Sequence, residues 1–351
     1  MGIQRGHQAR PGEWLAEKFI FLVSLSAILM VLLIFLFVAR EALPVFFGQT
    51  NTALVQTPIP PDDLEKHSPA ELQAYLGVTP DQYAKMKPAM LRDLMEVKVE
   101  EQNDIPDDFR NDPDARINTT EWKYLLRAHQ WTDYHKPEYI WQPVGQIQKY
   151  NIIPLVVGTL KVTLVGLLFA VPLAVGAAIY VSQLARPRLR EILKPAIELL
   201  SGIPSVVVGF FALIVMATVL QSLFHYQTRL NALVAGLALG ASRWQTAWQI
   251  VLPAALPGVF AATVLGFGRA IGETMIVLMV CSASVMSWSV FDSARSITTT
   301  IAAEMAEAVS GGPHYRILFM LGALLFAATF VSNMIGDFVI HRFKQKLEGK
   351  R

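Results

Sequence analysis

Arg269 and Glu273 stand four residues apart inside an apolar run, Gly266-Phe-Gly-Arg269-Ala-Ile-Gly272-Glu273-Thr274. Read as one helix through Val259 to Val280, that spacing puts both side chains on a single face, where they can pair. A charge at bilayer depth costs at least a few kcal/mol unless paired or hydrated, so ionisable groups there are functional by default. Arginine also presents a planar fork of donors that matches phosphate and related oxyanions bidentately. Two readings stand side by side: an anion site on a transmembrane pathway, or a structural ion pair locking two helices. Lys161, near the start of another apolar run, is a third pathway candidate. Its plainer account is a side chain snorkelling to the headgroups. Glu304 and Glu307 fall between two later runs and read as a solvated face.

A second constellation runs from Leu237 to Gly258: a small-residue turn at Gly240-Ala241, Trp244, Gln245 and Trp248, then Leu252-Pro253 and Pro257-Gly258. The order predicts a short helix across a membrane face, with aromatic residues at the interface and the prolines ending it. Such a helix fits a groove on a soluble partner, and the alternative is an ordinary interfacial helix. There is no Gly-x-x-x-x-Gly-Lys-Ser/Thr phosphate loop, zincin helix, nucleophile elbow or dinucleotide fingerprint in the sequence. Nucleophile, base and orienting partner do not stand out as a set, so no catalytic residue is assigned. Cys281 is the single cysteine, which excludes an internal disulfide and a cysteine metal site. No cofactor, metal or nucleic-acid partner is expected.

The elements that must position these groups follow from hydropathy. The 351 residues are 53% hydrophobic, and that apolar content is gathered into long runs. A span needs roughly 20 apolar residues, a length reached by Phe19 to Ala39, Ile152 to Val181, Ser205 to Phe224, Val259 to Val280 and Ile317 to Ile340. In lipid the backbone must satisfy its own hydrogen bonds, so these runs are predicted helices. Basic clusters flank them at Arg5, Arg10 and Lys18, at Arg186 to Lys194, and at Arg342 to Arg351, all assigned to the cytoplasm by charge bias. The expected layout is a cytoplasmic N-terminus at 1–18, a first span and exit at 19–48, a periplasmic insert at 49–150, a transmembrane domain at 151–341 and a cytoplasmic tail at 342–351. The insert is polar and dotted with proline. Ser68-Pro-Ala-Glu71 and Thr79-Pro-Asp-Gln82 read as helix starts, so a small helical subdomain is favoured over a solvated linker. Asp104 to Asn118 reads as loop.

The Leu237 to Gly258 stretch resembles the coupling loop of bacterial ABC importer permeases, the segment that docks on the ATPase. Gly240, Gln245, Leu252, Pro253, Pro257 and Gly258 match that pattern, with Ala241 in the turn. The run around Arg269 resembles the Gly-Arg-Ala-x-Gly-Glu-Thr signature of the phosphate permease family, the PstC/PstA type. Val157 to Thr163, Glu198 to Gly209 and Thr299 to Glu307 resemble further segments of that family, so the likeness covers residues 150 to 351. It implies an all-α polytopic membrane protein with a type I ABC importer permease core in the bacterial inner membrane. The function it implies is import of inorganic phosphate by alternating access. The partners it implies are a paralogous permease subunit in a heterodimer, a cytoplasmic ATPase dimer and a periplasmic phosphate-binding protein, with lipid around the spans. A permease for another oxyanion and a non-transporting scaffold are the alternatives.

One departure from the family concerns parity. Five full spans put the basic tail on the opposite side from the N-terminus. The remaining apolar segment, Leu230 to Gly240, covers only about 16 Å as a helix. In the family, roughly thirty more residues follow a similar Arg-Leu-Asn-Ala-Leu start. The expectation is an internal deletion around residue 240 that truncates the fourth span and shortens the coupling loop.

Overall fold

The computed structural model describes residues 11–78, 80–224, 252–281 and 286–348. The described residues are mostly helical, as a chain that must satisfy its backbone within lipid has to be. Leu230 to Gly240, Gly240, Ala241 and Gln245 lie outside the described residues, and so does the expected deletion.

Helix α1 (Pro11–Phe46) carries the first apolar run and leaves its side chains largely exposed until Ala42. It leans on the final helix, α14 (Pro313–Glu348), through the ring pairs Phe35–Phe326 and Phe37–Phe319. Beyond α1 comes the insert. Helix α2 (Pro69–Leu76) starts on a reciprocal capping box in which Ser68 and Glu71 exchange backbone hydrogen bonds, as the sequence predicts. Helices α3 (Pro80–Lys85) and α4 (Pro88–Asn103) follow, and Leu72, Tyr75 and Met95 make a small local core. The Asp104 to Asn118 stretch, expected as loop, instead carries two short helical turns, α5 (Asp107–Arg110) and a 3-10 turn at Pro113–Arg116, joined by irregular residues. Helix α6 (Trp122–Leu126) and the antiparallel pair β1 (Trp141–Gln142) and β2 (Lys149–Tyr150) complete the insert.

The insert is fused to the spans rather than tethered to them. Leu125, Trp141, Tyr150 and Ile152 share one core with Ala42 and Val45 of α1 and with Ile317, Leu318, Met320 and Leu321 of α14. Burying side chains of this size stabilises by roughly 1.5–3 kcal/mol each, so the insert and the helix ends form one cooperative unit.

Helix α7 (Ile153–Ile179) is the second span and ends in a π turn at Tyr180–Leu184. The basic stretch after it is helical, α8 (Pro187–Ser201). Arg190 of α8 donates to the carbonyls of Val181 and Ser182, which the π turn leaves open. The third span runs as α9 (Ser205–Phe211), a π turn at Ala212–Met216 and α10 (Ala217–Phe224).

The run expected to be one helix from Val259 to Val280 is two. Helix α11 (Leu252–Ile271) stops, residues 272–274 are irregular, and α12 (Met275–Val280) resumes. Leu252, Pro253, Pro257 and Gly258 fall in the first turns of α11; the residues before Leu252 lie outside the described ones. Helix α11 packs on α7 and α14, and α12 packs on α9, where Gly209 lets the backbones meet: a Cβ there would stand 3.2 Å from the Ile276 Cα. Four helical stretches among the described residues are long and apolar enough to cross a membrane: Glu17–Phe46, Ile153–Ser182, Ser205–Ser222 and Pro313–Val339. Helix α13 (Ile297–Glu304) is short and sits between α12 and α14.

Candidate functional site

Arg269 lies in the last turn of α11 with its side chain exposed, and Glu273 lies beyond the helix end in the irregular segment. The break removes the shared helix face, and no ion pair or hydrogen bond joins the two side chains among the described residues. Glu273 instead works locally. Its carboxylate accepts from the Ile276 N–H at 3.4 Å, capping the start of α12. Its backbone carbonyl accepts from Thr298 Oγ1 of α13 at 3.1 Å. Thr274 Oγ1 donates to the Gly272 carbonyl, and the Gly272 and Glu273 N–H groups reach back to Gly268 and Ala270. The break is therefore held by hydrogen bonds on both sides.

Non-helical backbone at membrane depth persists only where protein buries it or where it lines a watery cavity. The same constraint applies to Arg269, since an exposed guanidinium cannot rest against hydrocarbon. Gly272 and Arg269 are both exposed next to the break.

Lys161 does not join this pair, nor does it reach for headgroups. Its ammonium donates to the carbonyls of Ser287 and Ser289 at 3.0 and 2.9 Å. It thereby ties α7 to the loop between α12 and α13. In that loop Ser287 Oγ donates to Asp292. The adjoining turn of α7 docks closely too. Thr159 Oγ1 accepts from the Ile297 N–H at 3.0 Å, and Gly158 lies directly under the Arg295 carbonyl.

Sequence reasoning missed a buried charged cluster one helix further on. Glu304, expected on a solvated face, has a side chain only 12% exposed. It pairs with Arg295, lies 3.6 Å from His314 Nε2, and accepts the Trp141 indole N–H at 3.1 and 3.2 Å. Tyr150 stacks on His314. Burial, outweighing Trp141 and Arg295, holds the Glu304 carboxyl above its usual range. Burial and the Glu304 charge push the Tyr150 phenol well above its own. Glu307 is exposed, as expected. The cluster draws on positions 141, 150, 295, 304 and 314, so no local pattern announces it; the isolated Trp141 and Tyr150 at the end of the insert were its only signal.

Residues 231–349 match the family model described as the binding-protein-dependent transport system inner membrane component. Among curated relatives, the chain is 31% identical over 236 residues to the probable ABC transporter permease protein YqgH of Bacillus subtilis, covering 58% of this chain and 76% of the relative. It is 31% identical over 252 residues to the phosphate transport system permease protein PstC of Mesorhizobium japonicum, covering 58% and 76%. It is 30% identical over 263 residues to PstC of Pasteurella multocida, covering 60% and 80%.

Proposed function

Since the chain belongs to the ABC transporter inner-membrane permease family, we propose that it is the phosphate-translocating subunit of an importer driven by a separate ATPase. Its standing as an inner-membrane permease subunit follows from the family. The phosphate assignment is supported by the PstC relatives and by the chemistry around Arg269. ATPase and substrate-binding protein partners go with the family; pairing with a paralogous permease in a heterodimer is part of the proposal.

The observation that carries this reading is an exposed arginine beside a hydrogen-bonded break between α11 and α12. A guanidinium offers an oxyanion paired donors, and a break at membrane depth supplies the wet surface an anion must cross. In this scheme Arg269 meets the anion, Glu273 fixes the break behind it, and Lys161 holds the α12–α13 loop in place. Gly240, Ala241, Gln245, Leu252, Pro253, Pro257 and Gly258 form the ATPase-coupling segment, transmitting closure of the ATPase dimer to α11. The cavity opens outward to receive phosphate and inward as the ATPase dimer releases.

The test is uptake of labelled phosphate by the assembled transporter in proteoliposomes. Arg269→Ala is expected to abolish uptake and Arg269→Lys to retain part of it; unchanged uptake by Arg269→Ala overturns the role. Competition by molybdate or sulfate matching that by phosphate would assign the permease to another oxyanion.

A second reading rests on the sequence. Leu230 to Gly240 is too short to cross the bilayer, which supports a truncated fourth span and a shortened coupling loop. A chain that still binds its ATPase but carries no phosphate would be a scaffold of the permease fold. External labelling of the 342–351 tail in intact cells separates the topologies: labelling excludes a cytoplasmic tail.

A further inference from the structure

Glu304 sits where its own helix gains nothing from it. It is the last residue of α13, and a carboxylate there meets the negative end of the helix dipole. What holds it comes from elsewhere. Arg295, just before the Ser296 cap of α13, reaches along the helix to Glu304, so the pair brackets α13 from end to end. Trp141 of the insert donates its indole N–H to the same carboxylate at 3.1 and 3.2 Å. Trp141 is 2% exposed and is itself fixed: it pairs with Tyr150 across β1 and β2, and Tyr150 stacks on His314 of α14. Asn151, next to β2, donates to the Tyr124 and Arg127 carbonyls and anchors the strands to α6.

The other end of α13 meets the α11–α12 break. Thr298 Oγ1 donates to the Glu273 carbonyl at 3.1 Å. Ile297, Thr298, Thr299 and Thr300 are all buried. The Ile297 N–H is held by Thr159 of α7, and Gly158 leaves no room between α7 and the Arg295 carbonyl. Helix α13 has eight residues and is about 12 Å long. It is a short strut with the insert at one end and the break at the other. Close-packed interiors transmit strain rather than absorb it, so a shift at Glu304 is passed to Thr298, about 9 Å along the helix.

We infer that Trp141 is a positioning residue of the membrane site: through Glu304 and α13 it sets the α11–α12 break beside Arg269. The insert is then part of the working core, and whatever moves β1 and β2 moves the break. That the break is an anion site rests on the proposed phosphate reading; the link through α13 does not.

The full chain in lipid nanodiscs is followed by hydrogen exchange with mass spectrometry, and the assembled transporter by uptake of labelled phosphate. Loss of one ordinary hydrogen bond shifts an opening equilibrium by about fivefold. Trp141→Phe should therefore quicken exchange of the α12 amides, Met275 to Val280, by about fivefold. Leu125→Ala is the comparison for packing alone: Leu125 lies in the same core as Trp141 and, being apolar, has no bond to Glu304 to lose. It should leave α12 unchanged. Thr298→Val should quicken the same amides, and adding Trp141→Phe to it should bring no further change, because the strut is already cut. Glu304→Gln keeps the acceptor and should keep α12 protected. Where Trp141→Phe fails to fold, Glu304→Met takes its place in the cycle. Unchanged α12 exchange in Trp141→Phe overturns the inference, as do fully additive effects of the two changes or an equal effect of Leu125→Ala. In uptake, Trp141→Phe should raise the phosphate KM by about fivefold with kcat held. Exchange that follows Trp141 while KM stays put would overturn the anion reading of the break, and with it the positioning role, and leave the link through α13 standing.

Discussion

Two glycine-to-alanine substitutions with the same intrinsic effect should move stability in opposite directions. Gly158 and Gly322 both lie inside helices, α7 and α14. Replacing glycine by alanine in a helix interior gains up to about 1 kcal/mol from backbone entropy alone. At Gly322 an added Cβ meets nothing within 4 Å, so Gly322→Ala should stabilise by about 0.5–1 kcal/mol. At Gly158 the Cβ would overlap the Arg295 carbonyl oxygen and stand 2.9 Å from its carbon, against an ordinary contact of 3.4 Å or more. The Arg295 peptide must retreat by at least about 0.5 Å for the carbon and further for the oxygen. It is not free to do so. The Arg295 side chain is paired to Glu304, and two residues on, the Ile297 N–H is bonded to Thr159. Overpacking against held backbone costs about 1–3 kcal/mol and sometimes more, so Gly158→Ala should destabilise by about 2 kcal/mol net. Unfolding of the purified chain in mixed micelles, followed by tryptophan fluorescence across a denaturant series, reads both. A neutral or stabilised Gly158→Ala would refute the close docking of α7 under the α12–α13 loop.

The Glu304 cluster makes a graded prediction. Glu304→Gln should lie within about 1 kcal/mol of the unaltered protein at pH 7, because it keeps an acceptor for Trp141 and burial already disfavours the charge. Glu304→Ala orphans the indole and should cost about 2–3 kcal/mol in the same unfolding series. Because the Glu304 pKa is raised, its contribution is fully present below the unfolded value of 4.5 and is lost as pH rises through the folded value. The unaltered protein should therefore gain on Glu304→Gln as pH falls from 7 towards 4.5, and a gap that shrinks over this range would contradict the assignment. Lys161→Met removes the donor to two loop carbonyls and should speed amide exchange across 286–292 while costing about 1 kcal/mol; Lys161→Arg should restore protection. Thr298→Val takes the donor from the Glu273 carbonyl and should cost about 1 kcal/mol, with faster exchange of the α12 amides as its signature.

What the sequence reveals here depends on how far apart the determining residues are. Helices α1, α7 and α14 are legible because lipid imposes one requirement on every residue of a long apolar run, and a sum over hydropathy captures it. The Ser68–Glu71 capping box is legible because both partners fall within four residues. The break after α11 is not. Hydropathy stays high from Val259 to Val280, no proline interrupts the run between α11 and α12, and the hydrogen bond that holds Glu273 open comes from Thr298, 25 positions away. That distance is also why Arg269 and Glu273 look like a helical pair on paper and part company in space. Glu304 fails for the same reason in the opposite direction. A glutamate three residues from Glu307, between apolar runs, looks solvated, and only the arrival of Trp141 from the insert and Arg295 from the loop encloses it.

The division of α11 from α12 also bears on how the chain is made. The run from Leu252 to Val280 carries only Arg269 and Glu273 as charges, so the insertion machinery meets one apolar stretch that folds as two pieces. Helix α11 rests on α7, translated well before it, and on α14, translated after it. Its packing is complete only when the last helix has left the ribosome, so nascent chains arrested before Pro313 should leave α11 more open to protease than the finished chain does.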